Sequence, residues 1–472
     1  MDDTVVLSLA RAGFAFHGSE TQTLAEIDLR IGPGEMIAVL GPQGSGTSTL
    51  CRLAAGLLGD RGAVSGAITV RGSVAMLGDD PEAQLTGMTS YVDDEVSLPA
   101  RLAGSTRPVD IGAVLDTFGM QRLLGRRLDT LSGGERQLVA LASLMTGEPA
   151  LLVLDQPALS LDPDARMLLV RALRSFCDAG GSVLLTGHQH DDLTAAADRV
   201  AFVRGGRLVG SARPAELTDE ALGVRGVWNT LSDAAHLLAP PLPGAHVNAS
   251  EALLDVRGLS VRRATTEIFP PLDVRAAPGE VAAIVGPNGS GKSTLLRAVA
   301  GLLEVDATAG TAGSVRVGGT ELVRMPAHQR TRWLGWVGQD PGAQLSAATA
   351  QTELERALPL PPHRRRDRAR LREERATDVA GVLAQTGLVE QAAEHPYDLA
   401  PAQRKDLVIA SALLLRPEVV LLDEPTLGRD LAGMRRLERV IRDFTASGGA
   451  VVVTTHDLRW AARIAARVVR IR

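Results

Sequence analysis

Short runs of consecutive apolar residues recur along the chain and alternate with longer helical stretches. Met36–Leu40, Leu151–Leu154 and Ser182–Leu185 have the length and aliphatic content of strands buried on both faces. Ser48–Leu58 and Arg166–Asp178 read as helices between them. Val281–Val285 and Val419–Leu422 repeat the strand pattern later in the chain, and Leu295–Leu302 repeats the helical one. This alternation predicts an α/β fold with a parallel sheet that presents its ligand site at the carboxyl ends of the strands.

The pattern is duplicated. Pro33-Gly34-Glu35 returns as Pro278-Gly279-Glu280, an offset of 245. Asp80-Pro81 and Gln84-Leu85 return as Asp340-Pro341 and Gln344-Leu345 at 260, and from Leu131 onward the offset is 268. The first copy lacks much of the segment matching Thr320–Trp333, and the second is longer between Pro359 and Glu374. A period this long means two domains rather than a solenoid. They are placed at residues 1–236 and 251–472, joined by a linker over 237–250 that contains Pro240-Pro241-Leu242-Pro243-Gly244. Asp219–Ala235 is expected to be the terminal helix of the first domain.

The segment between strand and helix in the second copy is Gly286-Pro287-Asn288-Gly289-Ser290-Gly291-Lys292-Ser293-Thr294. It satisfies G-x-x-x-x-G-K-[ST], the phosphate-binding P-loop, and has the strand–loop–helix context the motif needs. Its glycines let backbone N–H groups wrap an anion, and the helix N-terminus adds positive potential. Lys292 would reach the β- and γ-phosphates, and Ser293 would ligate Mg²⁺. The first copy carries the equivalent loop, Gly41 to Thr49, with Gly44, Ser45, Gly46, Thr47 and Ser48 inside it. Val419–Leu422 ends in Asp423-Glu424. Two carboxylates at a strand end downstream of a P-loop suit a metal-holding Asp423 and a water-polarising Glu424.

Bulk properties narrow the setting. Apolar residues make up 45% of the 472 and charged residues 22%, an ordinary globular balance. A formal charge of −5 gives no electrostatic footprint for nucleic acid. The two cysteines, Cys51 and Cys177, have no metal spacing and fit a chain that does not rely on disulfides. The start, Met1-Asp2-Asp3, is acidic and unlike a signal peptide, and no apolar run reaches membrane-spanning length. Any membrane work would need spans from another chain. The arginine-rich run Pro359–Arg375 reads as a solvated loop and helix face, with lipid headgroups or an acidic partner as the sharper alternative.

Leu131–Gln137 reads LSGGERQ and precedes the strand Leu151–Leu154. With the two P-loops, this resembles the ABC ATPase family, whose signature is LSGGQ, and the resemblance spans nearly the whole chain. It implies two P-loop nucleotide-binding domains, each a RecA-like core with a helical subdomain, that hydrolyse ATP with Mg²⁺. It also implies that ATP lies between a P-loop of one domain and Ser132, Gly133, Gly134 and Glu135 of the other. His456 resembles the family's switch histidine at the γ-phosphate. Gln339 resembles the Q-loop glutamine that touches Mg²⁺ and links the site to a membrane partner. The aromatic pair Phe14 and Phe16 stands where the family stacks adenine; the second copy has Val261 and Arg263 there.

Departures from the family sort by site. The first copy has Thr47 in place of the P-loop lysine, Asp79 for the Q-loop glutamine and Gln156 for the base. The second copy's signature is Leu399-Ala400-Pro401-Ala402-Gln403, where Ala400 lacks the hydroxyl and Pro401 lacks an amide donor. Arg429 interrupts the loop that the first copy keeps as Ser160-Leu161-Asp162. Paired head to tail within one chain, the copies would form one complete site and one in which all altered parts meet.

GQDPGAQL and GDDPEAQL resemble the Q-N-P-x-x-Q element of energy-coupling-factor ATPases, with Gln84 and Gln344 as the second glutamine. That resemblance implies an importer of a vitamin or of cobalt or nickel. Its partners would be a transmembrane coupling protein and a substrate-binding membrane subunit, at the cytoplasmic face of the membrane. A sugar-importer ATPase and a soluble, ribosome-associated tandem ATPase are the alternatives.

Overall fold

The computed structural model describes residues 5–78, 85–105, 108–159, 161–231, 251–263, 266–303, 309–358, 360–361 and 364–471. The chain divides into two units, Met1–Leu231 with Gly428–Ala432, and Ser232–Leu427 with Gly433–Arg472. The expected linker 237–250, and with it Asp79, Gln84 and Ser160, lies outside the described residues.

In the first unit, Met36–Leu40 runs parallel between Ser182–Gly187 and Arg199–Arg204. Leu151–Asp155 and then Val74–Leu77 extend the sheet on the far side of Ser182–Gly187, and Arg207–Ala212 returns antiparallel at the other edge. Side chains alternate across this sheet. Met36, Ala38 and Leu40 enter a core with the helices Gly133–Thr146 and Pro163–Asp178. Ile37 and Val39 enter another with Leu7, Leu9, Leu50 and Leu53. Burial on both faces explains why the strand reads as an unbroken apolar run. A second, antiparallel sheet, Leu24–Ile31, Leu7–Phe16 and Gly62–Val70, covers the second of these cores. The parallel-sheet expectation did not include this layer.

The second unit repeats the plan. Five parallel strands run in the order Leu334–Val337, Val419–Asp423, Ala450–Thr454, Val281–Val285, Arg467–Arg470. Its antiparallel sheet comprises Thr266–Ala276, Leu254–Arg263, Ala309–Val317 and Thr320–Glu321. The helices Ala350–Ala357, Arg368–Thr386 and Pro401–Leu414 pack together as a helical region.

Some boundaries need correction. The helix expected over Asp219–Ala235 covers Asp219–Val224. It stops because the chain turns at Gly226, whose φ is 74°, and Trp228–Asn229 pairs as a strand with Gln189–His190. Residues 232–235 are outside the described set. The arginine-rich run enters the 19-residue helix Arg368–Thr386, whose opening arginines are mostly exposed. Among the described residues no helix is long and apolar enough to cross a membrane.

Candidate nucleotide site

The buried strand Val281–Val285 delivers the chain into the second P-loop. Gly286 leaves no room for a side chain: a Cβ there would lie 2.5 Å from the Ile471 carbonyl oxygen. Gly289 and Gly291 have φ of 78° and 92°, so the loop reverses through conformations that favour glycine. Gly291 then caps the helix Lys292–Ala300, leaving first-turn amides for an anion. Lys292 is buried at 6% exposure, and its Nζ donates to the carbonyls of Gly286 at 2.9 Å and Pro287 at 3.0 Å. The ammonium is therefore fixed inside the loop, beside those amides. Ser290 Oγ is buried with no hydrogen-bond partner among the described residues.

Asp423 ends the strand Val419–Asp423, and Glu424 follows in a left-handed turn with φ of 47°. A non-glycine residue held there costs about 1–3 kcal/mol and persists only where its surroundings fix it. Three contacts do so. Thr454 Oγ1 donates to Asp423 Oδ1 at 2.6 Å and accepts from the Glu424 amide at 3.0 Å. The His456 amide donates to Glu424 Oε2 at 3.1 Å. His456 Nε2 also lies 3.2 Å from Glu424 Oε1, although off-line for a hydrogen bond.

Burial pushes the Glu424 carboxyl up to about 7, against the pull of Lys292 and Lys405 and with help from Asp423. A base with a value near neutrality suits proton abstraction from water. The shift also predicts a stability signature. With the folded value above the unfolded 4.5, stability falls as pH rises from about 4.5 to 7, because only the unfolded chain ionises freely there. The loss amounts to about 3 kcal/mol above neutrality. Glu424→Gln in nucleotide-free protein with EDTA should therefore raise the melting temperature at pH 8, with the gain shrinking toward zero near pH 5. Calorimetry at the two pH values checks it, and a gain independent of pH would contradict it.

The first unit has the same scaffold with different chemistry. A Cβ on Gly41 would sit 2.3 Å from the Val203 carbonyl, and Gly44 and Gly46 have φ of 75° and 100°. The helix opens with buried Thr47, followed by Ser48 and Thr49, so no ammonium enters the loop. Thr186 Oγ1 donates to Asp155 Oδ1 at 2.7 Å, matching Thr454 on Asp423. Gln156 adopts φ of 53°, the same left-handed turn as Glu424, but presents an amide. His188 Nδ1 lies 2.8 Å from the Gly41 carbonyl and is tied to its own P-loop.

Ser132 caps the helix Gly133–Thr146 through a reciprocal box. Its Oγ accepts from the Glu135 amide at 3.3 Å, and Glu135 Oε2 accepts from the Ser132 amide at 2.9 Å. Burial opposes ionisation of Glu135, but the bonds from Ser132 and the Arg122 guanidinium at 2.7 Å outweigh it and hold its carboxyl low. Glu135, grouped with the nucleotide ligands from the sequence, is held in this cap. In the second unit Gln403 Oε1 accepts from the Ala400 amide at 3.1 Å, but Ala400 returns nothing and Pro401 has no N–H. That end makes a poorer anion seat.

Phe14 also needs correction. It is fully buried, edge-on to Phe16 at 4.9 Å between ring centroids, so it packs the core and cannot stack a base. Phe16 is exposed at the strand end. Val261 is likewise core. Gln339 is exposed just past the strand Leu334–Val337. Gln344 folds back beside it: Oε1 accepts from the Gly338 amide at 2.7 Å and Nε2 donates to the Trp336 carbonyl at 3.3 Å.

Two residues of the site escaped the sequence reading. Thr454 ties both carboxylate positions, and Lys405, 4% exposed, donates to the main chain beneath them. The offset of 268 pairs them with Thr186 and Gln137, which was the available signal.

The ABC transporter family model matches residues 24–159 and 269–427. The chain belongs to this family, as a tandem ABC ATPase that binds and hydrolyses ATP. It is 30% identical to the "Putative ABC transporter ATP-binding protein" of Streptomyces coelicolor, over 96% of this chain and 90% of that one. It is 26% identical to the "Putative HMP/thiamine import ATP-binding protein YkoD" of Bacillus subtilis, over 96% and 87%. Two solved structures share its fold. "RNase-L Inhibitor" has a TM-score of 0.62 at 18% identity, covering 97% of this chain and 87% of that one. The archaeal ribosome recycling factor aABCE1, solved with the stalk protein aP1, has a TM-score of 0.61 at 20% identity, covering 95% and 84%.

Proposed function

We propose that the chain is the ATPase of an energy-coupling-factor importer, carrying a vitamin or metal ion, with one hydrolytic and one degenerate nucleotide site. The hydrolytic site joins the second unit's P-loop, Asp423, Glu424, Gln339 and His456 to Ser132, Gly133 and Gly134 of the first. The degenerate site joins Thr47, Asp79 and Gln156 to Ala400 and Pro401. The sorting of every substitution to one side supports this head-to-tail pairing.

Ser293 and Asp423 are the residues to hold Mg²⁺. They fit a hard ion that keeps waters and phosphate oxygens in its shell, and among the described residues no cluster of three or more His, Cys, Asp or Glu could hold a metal unaided. The ion would neutralise charge on the transferred phosphoryl group. Lys292 positions the phosphate chain and Glu424 takes the proton of the attacking water. The degenerate site keeps Ser48, Asp155 and the loop amides, enough to hold a nucleotide that is not cleaved.

The importer assignment is carried by the Q-x-P-x-x-Q-type element. Gln344 braces the segment bearing Gln339, so the second glutamine has a structural use, and a relative aligned over nearly the whole chain is named for HMP/thiamine import. The chain would work at the cytoplasmic face of the membrane beside a coupling protein and a substrate-binding subunit. Affinity purification of the tagged chain from gently solubilised cells is the test. A hydrophobic multi-span protein should co-elute in stoichiometric amount; ribosomal material in its place would overturn the importer reading. The identity of the co-eluting substrate subunit would separate a vitamin or metal cargo from a sugar.

A further inference from the structure

The helix Pro401–Leu414 begins at the degenerate signature, yet it carries Lys405 into the buried interior of its own unit. Lys405 Nζ donates to the Glu424 carbonyl at 2.8 Å and to the Asp423 carbonyl at 3.2 Å. These are the two peptide groups that flank the left-handed turn at Glu424. Burying an ammonium is costly unless its donors are used. The corresponding side chain of the first unit is neutral: Gln137 Nε2 donates to the Pro157 carbonyl at 2.7 Å. The unit with a glutamate at the turn therefore has a cation beneath it, and the unit with a glutamine there has an amide.

We propose that Lys405 is a positioning residue for hydrolysis: its ammonium grips the carbonyls of Asp423 and Glu424, fixes the left-handed turn, and so aims the Glu424 carboxylate. This rests on the reading of Glu424 as the residue that polarises the attacking water. The helix that has lost its anion seat at the N-terminus keeps a second task one turn further on, toward its own unit's site. The grip is on the main chain and needs a donor of the right reach, so a side chain of similar length without N–H groups should leave the fold and lose the aim.

Lys405→Met should lower kcat about 10- to 100-fold, the range expected from a small misplacement of a reacting group. The affinity for a fluorescent ATP analogue should stay within about threefold, because the P-loop is untouched. Lys405→Gln supplies a neutral donor, which in the first unit meets the carbonyl one residue past the turn, and should recover kcat in part, to at least about threefold above Lys405→Met. An unchanged kcat in Lys405→Met overturns the proposal, as does a Lys405→Gln variant no faster than Lys405→Met at equal thermal stability. Where Met is not tolerated by the fold, Gln and Asn decide: the same amide on a shorter stem should lose the rate, and equal rates overturn the proposal. Glu424→Gln run alongside separates the two readings. Hydrolysis surviving there removes the base assignment, whereas hydrolysis lost there but unchanged in Lys405→Met removes only the role of the lysine.

Discussion

Glu424→Gln is expected to lower steady-state ATP hydrolysis at least about 100-fold, while Gln156→Glu leaves it within about twofold, since loss of a general base typically costs 10²–10⁴ in rate. The two positions are the same place in the fold. Each follows the aspartate that ends a strand of its unit's parallel sheet, each takes a left-handed turn, and each has a threonine hydroxyl donating to that aspartate. Around Glu424 the lysine of the P-loop and the histidine of the last strand–helix turn converge. Around Gln156 the loop has Thr47, and His188 is tied to Gly41. Writing a carboxylate into the first turn therefore restores one group of several. Phosphate-release assays on the two purified variants decide it. A wild-type rate in Glu424→Gln, or a rate raised beyond that range in Gln156→Glu, would remove the asymmetry.

Arg330→Met should destabilise the second unit by about 3–5 kcal/mol, a shift of about 10 °C for a domain of this size. The Arg330 side chain is buried, and its guanidinium donates to four main-chain carbonyls: Val299 at 2.7 Å, Met325 at 2.8 Å, Val323 at 2.9 Å and Ala298 at 3.3 Å. Two of these close the C-terminal end of the helix Lys292–Ala300, where carbonyls have no partner within the helix. Burial holds the guanidinium below its ordinary range, against the pull of Glu321. Gly301 makes the approach possible, since a Cβ there would lie 2.5 Å from the guanidinium carbon. Methionine would fill the space and leave the Val299, Val323 and Met325 carbonyls without this donor, while Ala298 keeps the Gly301 amide at 3.1 Å. Calorimetry on the full chain checks it, and an unchanged transition for the second unit would show that water or a backbone shift replaces the arginine. The same variant should weaken ATP binding, because the helix carries Lys292 and Ser293 at its other end.

Much of the fold could be read from the chain. Met36–Leu40 was placed residue for residue, because a strand buried on both faces has no polar position to blur its ends. The second P-loop was placed because phosphate binding needs glycines and a lysine at fixed intervals, and the first because its glycines repeat that spacing at the offset of 245. The antiparallel layer was missed because its strands are buried on one face and bulged. The pairing of Leu7–Phe16 with Gly62–Val70 shifts register between Ala10 and Gly13, which breaks the two-residue period. The same layer placed Phe14 in a core, where the sequence had offered it to a base.

By itself the sequence determined the duplication, the parallel cores, and the different residue types at the two P-loops, because these depend on local spacing and on chemistry written residue by residue. Only the tertiary structure decided that Glu424 is buried with its carboxyl pushed up, and that Lys405 and Thr454 hold the strand end. Buried side-chain hydrogen bonds join residues 18 to 31 positions apart here, and no local pattern records which group a distant side chain will meet once the sheet has assembled.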